Sequence, residues 1–236
     1  MNIEARLDDV RAEYLHRMTQ GDNRLLRQVE AYTTARHGKM LRPRMLLAAA
    51  ATLGQQHLLS QRTLLLAVAV EMLHNASLLH DDVIDHAPSR RGQPSVNSRW
   101  GSTVAVLVGD YLLTQIMELL DETGDSQATR KLNATVKSMV EAELLAQELR
   151  TQNPEPRTPC PCSAEDYLAI IDGKTANLFA LAASLGNPLY HDFGLHYGRI
   201  FQLRDDIADG DATPHTAALL AIEEDTIKHM ENILNI

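Results

Sequence analysis

The sequence predicts an all-α protein, a single-domain helical bundle with a central cavity spanning residues 1–236. Three observations predict it. Hydrophobic residues make up 44% of the chain but aromatics only 4%, so Leu, Ala, Val, Ile and Met must fill the core. That mix favours helix over strand. No segment shows the alternation of a half-buried strand, and apolar-periodic segments instead follow one another between Gly and Pro breaks. A chain of 236 residues can bury a sizeable core.

The elements follow in order. Residues 3–19 and 22–36 read as amphipathic helices broken at Gly21-Asp22, a stop followed by an N-cap. A turn at His37-Gly38-Lys39 leads into a helix from Met40 to Leu53, in which Ala48 to Ala51 allow close packing, and Gly54 ends it. The central helix runs from about Ser60 to Asp85, and Pro88, Gly92 and Pro94 mark His86 to Pro94 as a loop. Further helices are expected over Val104 to Leu120 and Ala128 to Arg150. Asn153 to Ser163 carries four prolines and reads as an irregular surface excursion. Ser163 is an N-cap candidate for a helix to Leu185, Gly186-Asn187-Pro188 turns the chain, and His191 to Asp209 forms the next helix. Thr213-Pro214 can start a last one.

Composition excludes several classes of function. A net charge of −9 lacks the basic footprint of a nucleic-acid binder. Cys160 and Cys162, one residue apart in the Pro-rich stretch, are too few and too close for a zinc site or a disulfide framework. The amphipathic N-terminus lacks a signal peptide's apolar core, and no apolar run approaches the ~20 residues of a membrane span. A cytoplasmic protein is expected.

The chemistry concentrates in His74 to Pro94, where three aspartates, three histidines and two arginines fall within 21 residues. On a helix Asp81 and Asp85 point the same way, with Asp82 roughly 100° round the axis. Carboxylates gathered at the end of an apolar helix repel one another unless a cation shares the site. Hard oxygen donors suit Mg²⁺, which binds through one or two carboxylates plus phosphate oxygens. Arg90 and Arg91 supply planar forks for phosphate. The plain alternative is a solvated acidic helix end with a basic loop. Asp205, Asp206 and Asp209 repeat the Asp-Asp-x-x-Asp spacing at the end of another apolar-rich segment. Two such motifs, facing each other across a bundle, would hold a metal cluster.

These motifs, with Gly38-Lys39-x-x-Arg42-Pro43, Arg90-Arg91-Gly92-x-Pro94, Gly109-Asp110-Tyr111-Leu112-Leu113 and Gly173-Lys174-Thr175-Ala176, resemble those of the trans-type polyprenyl diphosphate synthases. The resemblance runs in the family's order from about residue 37 to 209. It implies an all-α fold of the isoprenoid synthase type, usually homodimeric, that condenses isopentenyl diphosphate with an allylic diphosphate. It implies up to three Mg²⁺ ions, held by Asp81, Asp85, Asp205, Asp206 and Asp209, with Asp82 supporting them. Catalysis would rest on Asp81, Asp82, Asp85, Lys174 and Asp205. Arg90, Lys174, Thr175 and Gln202 would contact the allylic diphosphate, and Lys39, Arg42, His74 and Arg91 the isopentenyl diphosphate. Ionising an allylic C–O bond needs concentrated positive charge on the leaving group in a water-poor pocket. The released pyrophosphate takes the final proton in that family, so no side-chain base is required.

Ala76 and Ser77, five and four residues before Asp81, are small where short-chain members carry a bulky floor. The resemblance therefore implies a geranylgeranyl or longer product. Each assignment has a structural alternative. Lys39 and Arg42 can be exposed cations at a helix start and His74 a hydrogen-bonded core residue. Lys174 and Thr175 can lie on a helix surface, and Ala76 and Ser77 can be ordinary small packing residues.

The chain departs from the pattern after Asp209. Family members continue with Gly-Lys-x-x and a further Lys, whereas here the basic side chains beyond Asp209 are Lys228, His215 and His229. The domain reads as shortened after the second motif, either as a trimmed homologue or as a chain lacking residues. A non-catalytic partner subunit of a prenyl diphosphate synthase is the alternative reading. A His-Asp phosphohydrolase, suggested by His74 and His80-Asp81, would leave the second aspartate motif unexplained.

Overall fold

The computed structural model describes residues 2–19, 22–35, 38–152 and 163–234, with side chains to residue 230. The turn at His37, the break at Gly21, most of the Pro-rich stretch and both cysteines lie outside the described residues. The chain divides into two compact units, Met1–Ser126 and Gln127–Ile236.

The first unit comprises α1 (Ile3–Thr19), α2 (Arg24–Thr34), α3 (Leu41–Ala51), α4 (Gln55–Leu59), α5 (Gln61–Ile84), a hairpin of β1 (Ser89–Arg90) and β2 (Gln93–Pro94), α6 (Val96–Trp100) and α7 (Ser102–Thr123). Local chemistry sets the helix starts. Asn23 accepts from the amides of Leu25 and Leu26, Ser60 from Thr63 and Ser95 from Ser98, each satisfying an otherwise orphaned donor. The unit is organised around α5, which packs against α1, α3, α6 and α7. Leu66, Ala67, Val68, Ala69, Val70 and Met72 are all fully buried on it, so it is enclosed on every side. Each such Leu or Val stabilises the fold by about 1.5–3 kcal/mol.

The second unit comprises α8 (Ser126–Gln152), α9 (Ala164–Ile171), a π-helical turn (Asp172–Ala176), α10 (Asn177–Gly186), a short 3₁₀ turn (Pro188–Tyr190), α11 (His191–Asp209) and α12 (Thr216–Leu234). Ser163 and Asp166 form a reciprocal capping box at the start of α9. Tyr167, Ile171 and Leu203 make a small core with Leu149, Leu219 and Leu220 against it. Every residue of α10 from Leu178 to Gly186 is buried.

Three expectations need correction. His86 to Pro94 is not wholly loop, because Ser89 pairs with Pro94 and Arg90 with Gln93 in a two-residue antiparallel ladder. Arg91 and Gly92 between them have φ of 53° and 74°, the positive pair that a tight I′ hairpin turn demands. Two short helices, α4 and α6, were also not expected, because each carries too few residues to show a period. Finally, Gln61–Ile84, Ser102–Thr123 and Ala164–Gly186 are long and apolar enough to cross a membrane by length and composition, with mean hydropathies of 1.3, 1.5 and 1.3. The sequence reading stopped each run at its isolated polar residues, such as Glu71 in α5, which barely lower the mean. In this structure 72%, 44% and 67% of the most apolar 18-residue window of each is buried inside the protein.

Candidate active site

The first aspartate motif lies on the last turn of α5, with Asp85 as its C-cap residue. Aligned peptide dipoles make a helix C-terminus negative, so three carboxylates there are placed against the field and call for cations. The hairpin supplies one of them. It folds back so that Arg90 Nε donates to Asp82 Oδ1 at 2.9 Å, with a second bond from Nη2 to the same oxygen. Asn97 Nδ2 donates to the Asp82 backbone carbonyl at 2.9 Å and ties α6 to the same turn. Asp82 is thus a buried counter-ion, while Asp81 is half-buried and Asp85 exposed.

Arg42 and Arg91 lie near enough to His74 to act on its charge. Burial, with Arg42, Arg91 and Arg90 nearby, holds the His74 imidazole well below its ordinary range, so it is neutral at neutral pH. The guanidinium of Arg91 packs on Gly38, where an added Cβ would come within 2.7 Å of Nη2. That contact joins the Gly-Lys motif to the hairpin turn. Lys39 is exposed beside it, and Met40 takes a left-handed φ of 49° as α3 begins. Glu71, one turn before Asn75 on α5, was not singled out from the sequence because it sits in an apolar run. Its buried carboxyl is pushed up by desolvation, against the pull of Arg42, Arg91, Asn75 and Arg11.

Gly109 has a similar explanation. A Cβ there would meet the His80 ring at 2.3 Å, and His80 Nε2 lies 3.3 Å from the Val106 carbonyl and 3.4 Å from Asp110. The Gly-Asp motif of α7 therefore makes room for a histidine that the sequence reading left without a role. Beneath the hairpin an open cleft runs from Asp82, Arg90 and Arg91 down to Met18, Val108 and Leu112. Leu78 and Leu79 line it. Ala76 is fully buried in the packing and Ser77 half-buried, and neither lines this cleft. At the edge of the hairpin Tyr32 donates to the Pro94 carbonyl at 2.7 Å and meets Trp100 edge-on at 5.0 Å, with Arg99 over both rings.

In the second unit the Gly-Lys-Thr-Ala motif occupies the π-turn, a form that recurs at functional sites. Arg199 grips the turn through a fork to Asp172, at 2.6 and 2.7 Å, and reaches Glu223 of α12 at 3.0 Å. Lys174 pairs with Glu143 of α8. Thr175 donates to Gln202 at 2.6 Å, and Gln202 donates to Asp206 Oδ1 at 2.7 Å. Tyr167, missed because one aromatic in a helix carries no motif, donates to Asp206 Oδ2 and stands 3.0 Å from the Thr216 hydroxyl. Asp206 therefore has both oxygens engaged, whereas Asp205 and Asp209 are exposed at the end of α11.

Among the described residues no three His, Cys, Asp or Glu side chains form a ready-made metal cage. The donor chemistry nevertheless fits magnesium. Asp81 with Asp85, and Asp205 with Asp209, are carboxylate pairs four residues apart at negative helix ends. An ion that takes one or two carboxylates and completes its shell with phosphate oxygens needs no more from the protein.

An all-α chain with paired aspartate-rich helix ends, a guanidinium cluster and a Lys-Thr π-turn is thereby defined as a class. Residues 23–218 match the polyprenyl synthetase family, and the chain belongs to it. It is 36% identical over 195 residues to the all-trans-nonaprenyl-diphosphate synthase (geranyl-diphosphate specific) of Rhodobacter capsulatus, covering 78% of this chain and 57% of that protein. A decaprenyl diphosphate synthase structure from Rhodobacter capsulatus matches with a TM-score of 0.80 and 30% identity, over 90% of this chain and 68% of that one. A polyprenyl synthase structure from Caulobacter crescentus, complexed with calcium and isoprenyl diphosphate, matches with a TM-score of 0.76 and 35% identity, over 86% and 62%. The chain spans 57% and 59% of the length of the first two curated relatives it matches.

Proposed function

We propose that the protein is a magnesium-dependent prenyltransferase that condenses isopentenyl diphosphate with an allylic diphosphate to a longer all-trans polyprenyl diphosphate. One observation carries the reading. Asp81 with Asp85, and Asp205 with Asp209, sit four residues apart at the C-terminal turns of α5 and α11, where their mutual repulsion and the helix dipole favour a bound cation. A bound isoprenyl diphosphate and a divalent ion in the Caulobacter relative support it.

These aspartates would hold magnesium, which neutralises charge building on a departing diphosphate. The rest falls to the chain's own side chains. Arg42, Arg91 and Lys39 bind the isopentenyl diphosphate, and neutral His74 donates a hydrogen bond without adding charge. Arg90 in the first unit, and Lys174, Thr175 and Gln202 in the second, supply donors suited to the oxygens of an allylic diphosphate. Arg90 and Lys174 are held ready by Asp82 and Glu143, and exchange those carboxylates for phosphate oxygens. Apolar side chains such as Leu79, Val108 and Leu112 keep water from the hydrocarbon. The long-chain names of the relatives support a geranylgeranyl or longer product; Ala76 and Ser77, which do not line the cleft, carry no part of that reading. A cytoplasmic homodimer completes the proposal.

The test is an assay of purified protein with labelled isopentenyl diphosphate, Mg²⁺ and a set of allylic primers, reading product length. Elongated product abolished by chelator is expected. Asp81→Ala or Asp205→Ala should cut turnover at least ~100-fold with circular dichroism unchanged. Near-normal rates in either would sink the metal assignment. No product at all, with isopentenyl diphosphate still bound, would replace the synthase by a partner subunit.

A further inference from the structure

Behind the hairpin a second, open pocket is lined by Arg11, Tyr14, Gly38, Glu71, Asn75 and Arg91, among others. Arg91 and Gly38 belong to the diphosphate motifs, but Arg11 comes from α1, which carries none of them. Glu71 on the pocket wall is 6% exposed, and its Oε2 has no hydrogen-bond partner among the described residues. Three guanidinium groups, Arg42, Arg91 and Arg11, pull on that single carboxyl. His74 beside them adds no charge. The wall thus carries more positive than negative charge, an arrangement that favours an anion in the pocket. Tyr14 and Asn75 line it with polar groups, the Asn75 amide donating to the Tyr14 hydroxyl at 3.3 Å.

Arg11 is also available. It pairs with Asp8, 2.6 Å away, and the two side chains are 35% and 72% exposed. Exposed pairs of this kind are weak, so exchanging Asp8 for a phosphate oxygen costs little. A guanidinium fork matches two phosphate oxygens where a single ammonium does not.

We infer that Arg11 is a further diphosphate-binding residue, reaching from α1 into the pocket it shares with Arg91 to hold the isopentenyl diphosphate. Glu71 is the buried carboxyl that the guanidinium groups face before the anion arrives. The inference rests on the function proposed above and adds a residue that none of its motifs contains.

Titration calorimetry on the full chain tests it, with isopentenyl diphosphate and, separately, a non-reactive allylic diphosphate analogue. Four proteins are compared: wild type, Arg11→Gln, Arg91→Gln and, as a control for lost surface charge, Arg24→Gln. The expected result is isopentenyl diphosphate binding weakened about tenfold by Arg11→Gln, the scale of one charge-assisted hydrogen bond. Arg24→Gln should stay within about twofold, and the analogue should bind Arg11→Gln as it binds wild type. Unchanged affinity in Arg11→Gln, with Arg91→Gln weakened, overturns the role of Arg11 alone. Equal weakening by Arg24→Gln, or of both ligands, reduces it to a general field effect and also overturns it. Absence of isopentenyl diphosphate binding by wild type overturns the proposed function together with the inference.

Discussion

Glu30 in α2 is 3% exposed, and neither carboxyl oxygen has a hydrogen-bond partner among the described residues. Burial pushes its pKa from 4.5 up to about 7, with Arg27 opposing. The fold therefore prefers the neutral acid. Its advantage is complete below pH 4.5 and is lost as pH rises through about 7. Glu30→Gln should flatten that part of the stability–pH curve and make the protein more stable at pH 8 by about 1–2 kcal/mol. Urea melts at pH 5 and pH 8 check this, and an identical pH dependence in both proteins would refute it. Gly109→Ala should be costly, because the new methyl would collide with the His80 ring. A loss of about 1–3 kcal/mol is expected, and His80→Ala in the same chain should restore much of it. Residues of this kind were only half legible. The Gly-Asp pair could be read as a motif, but its reason depends on a histidine 29 positions earlier. Asp82 and Arg90 were each noticed, yet nothing in their spacing says that a hairpin will turn one onto the other.

At the scale of elements, long helices were legible because their apolar periods persist over many turns, and α1 and α11 end where the sequence says. The hairpin was not, since two-residue strands have no alternation to read. The π-turn was invisible for a different reason. Its extra residue is absorbed by tertiary contacts, chiefly the Arg199 fork on Asp172. Arg199→Leu should release that turn and leave Asp172 and buried Glu223 short of their cation. A destabilisation of about 2–4 kcal/mol is expected in thermal or urea unfolding. A companion Asp172→Asn change should cost less, because Arg199 keeps Glu223. Equal losses in the two variants would show that the turn does not depend on Arg199 itself.

For the whole molecule, metal binding and diphosphate binding should be a single event. With no three-ligand cage among the described residues, Mg²⁺ alone has too few protein oxygens to bind tightly. Differential scanning fluorimetry should show little shift with 5 mM Mg²⁺ or inorganic pyrophosphate alone. Together they should stabilise by ~3 kcal/mol once ligand is about 100-fold above Kd. An equal shift from Mg²⁺ by itself would mean a preformed metal site. Composition announced an all-helical chain, and the family motifs announced the chemistry. The division into Met1–Ser126 and Gln127–Ile236 was not legible, because it follows from which helices pack together and no linker-like composition marks it.

Trp100 is the only tryptophan in the sequence, and it lies in the first unit, held edge-on by Tyr32 and covered by Arg99. Tyr32 in turn grips the hairpin that carries Arg90 and Arg91. The chain thus contains one natural fluorophore wired to the turn that carries Arg90 and Arg91. Its emission reports on that turn without labelling, while circular dichroism averages every helix. Comparing the two signals during unfolding measures how far the second unit keeps a stability of its own.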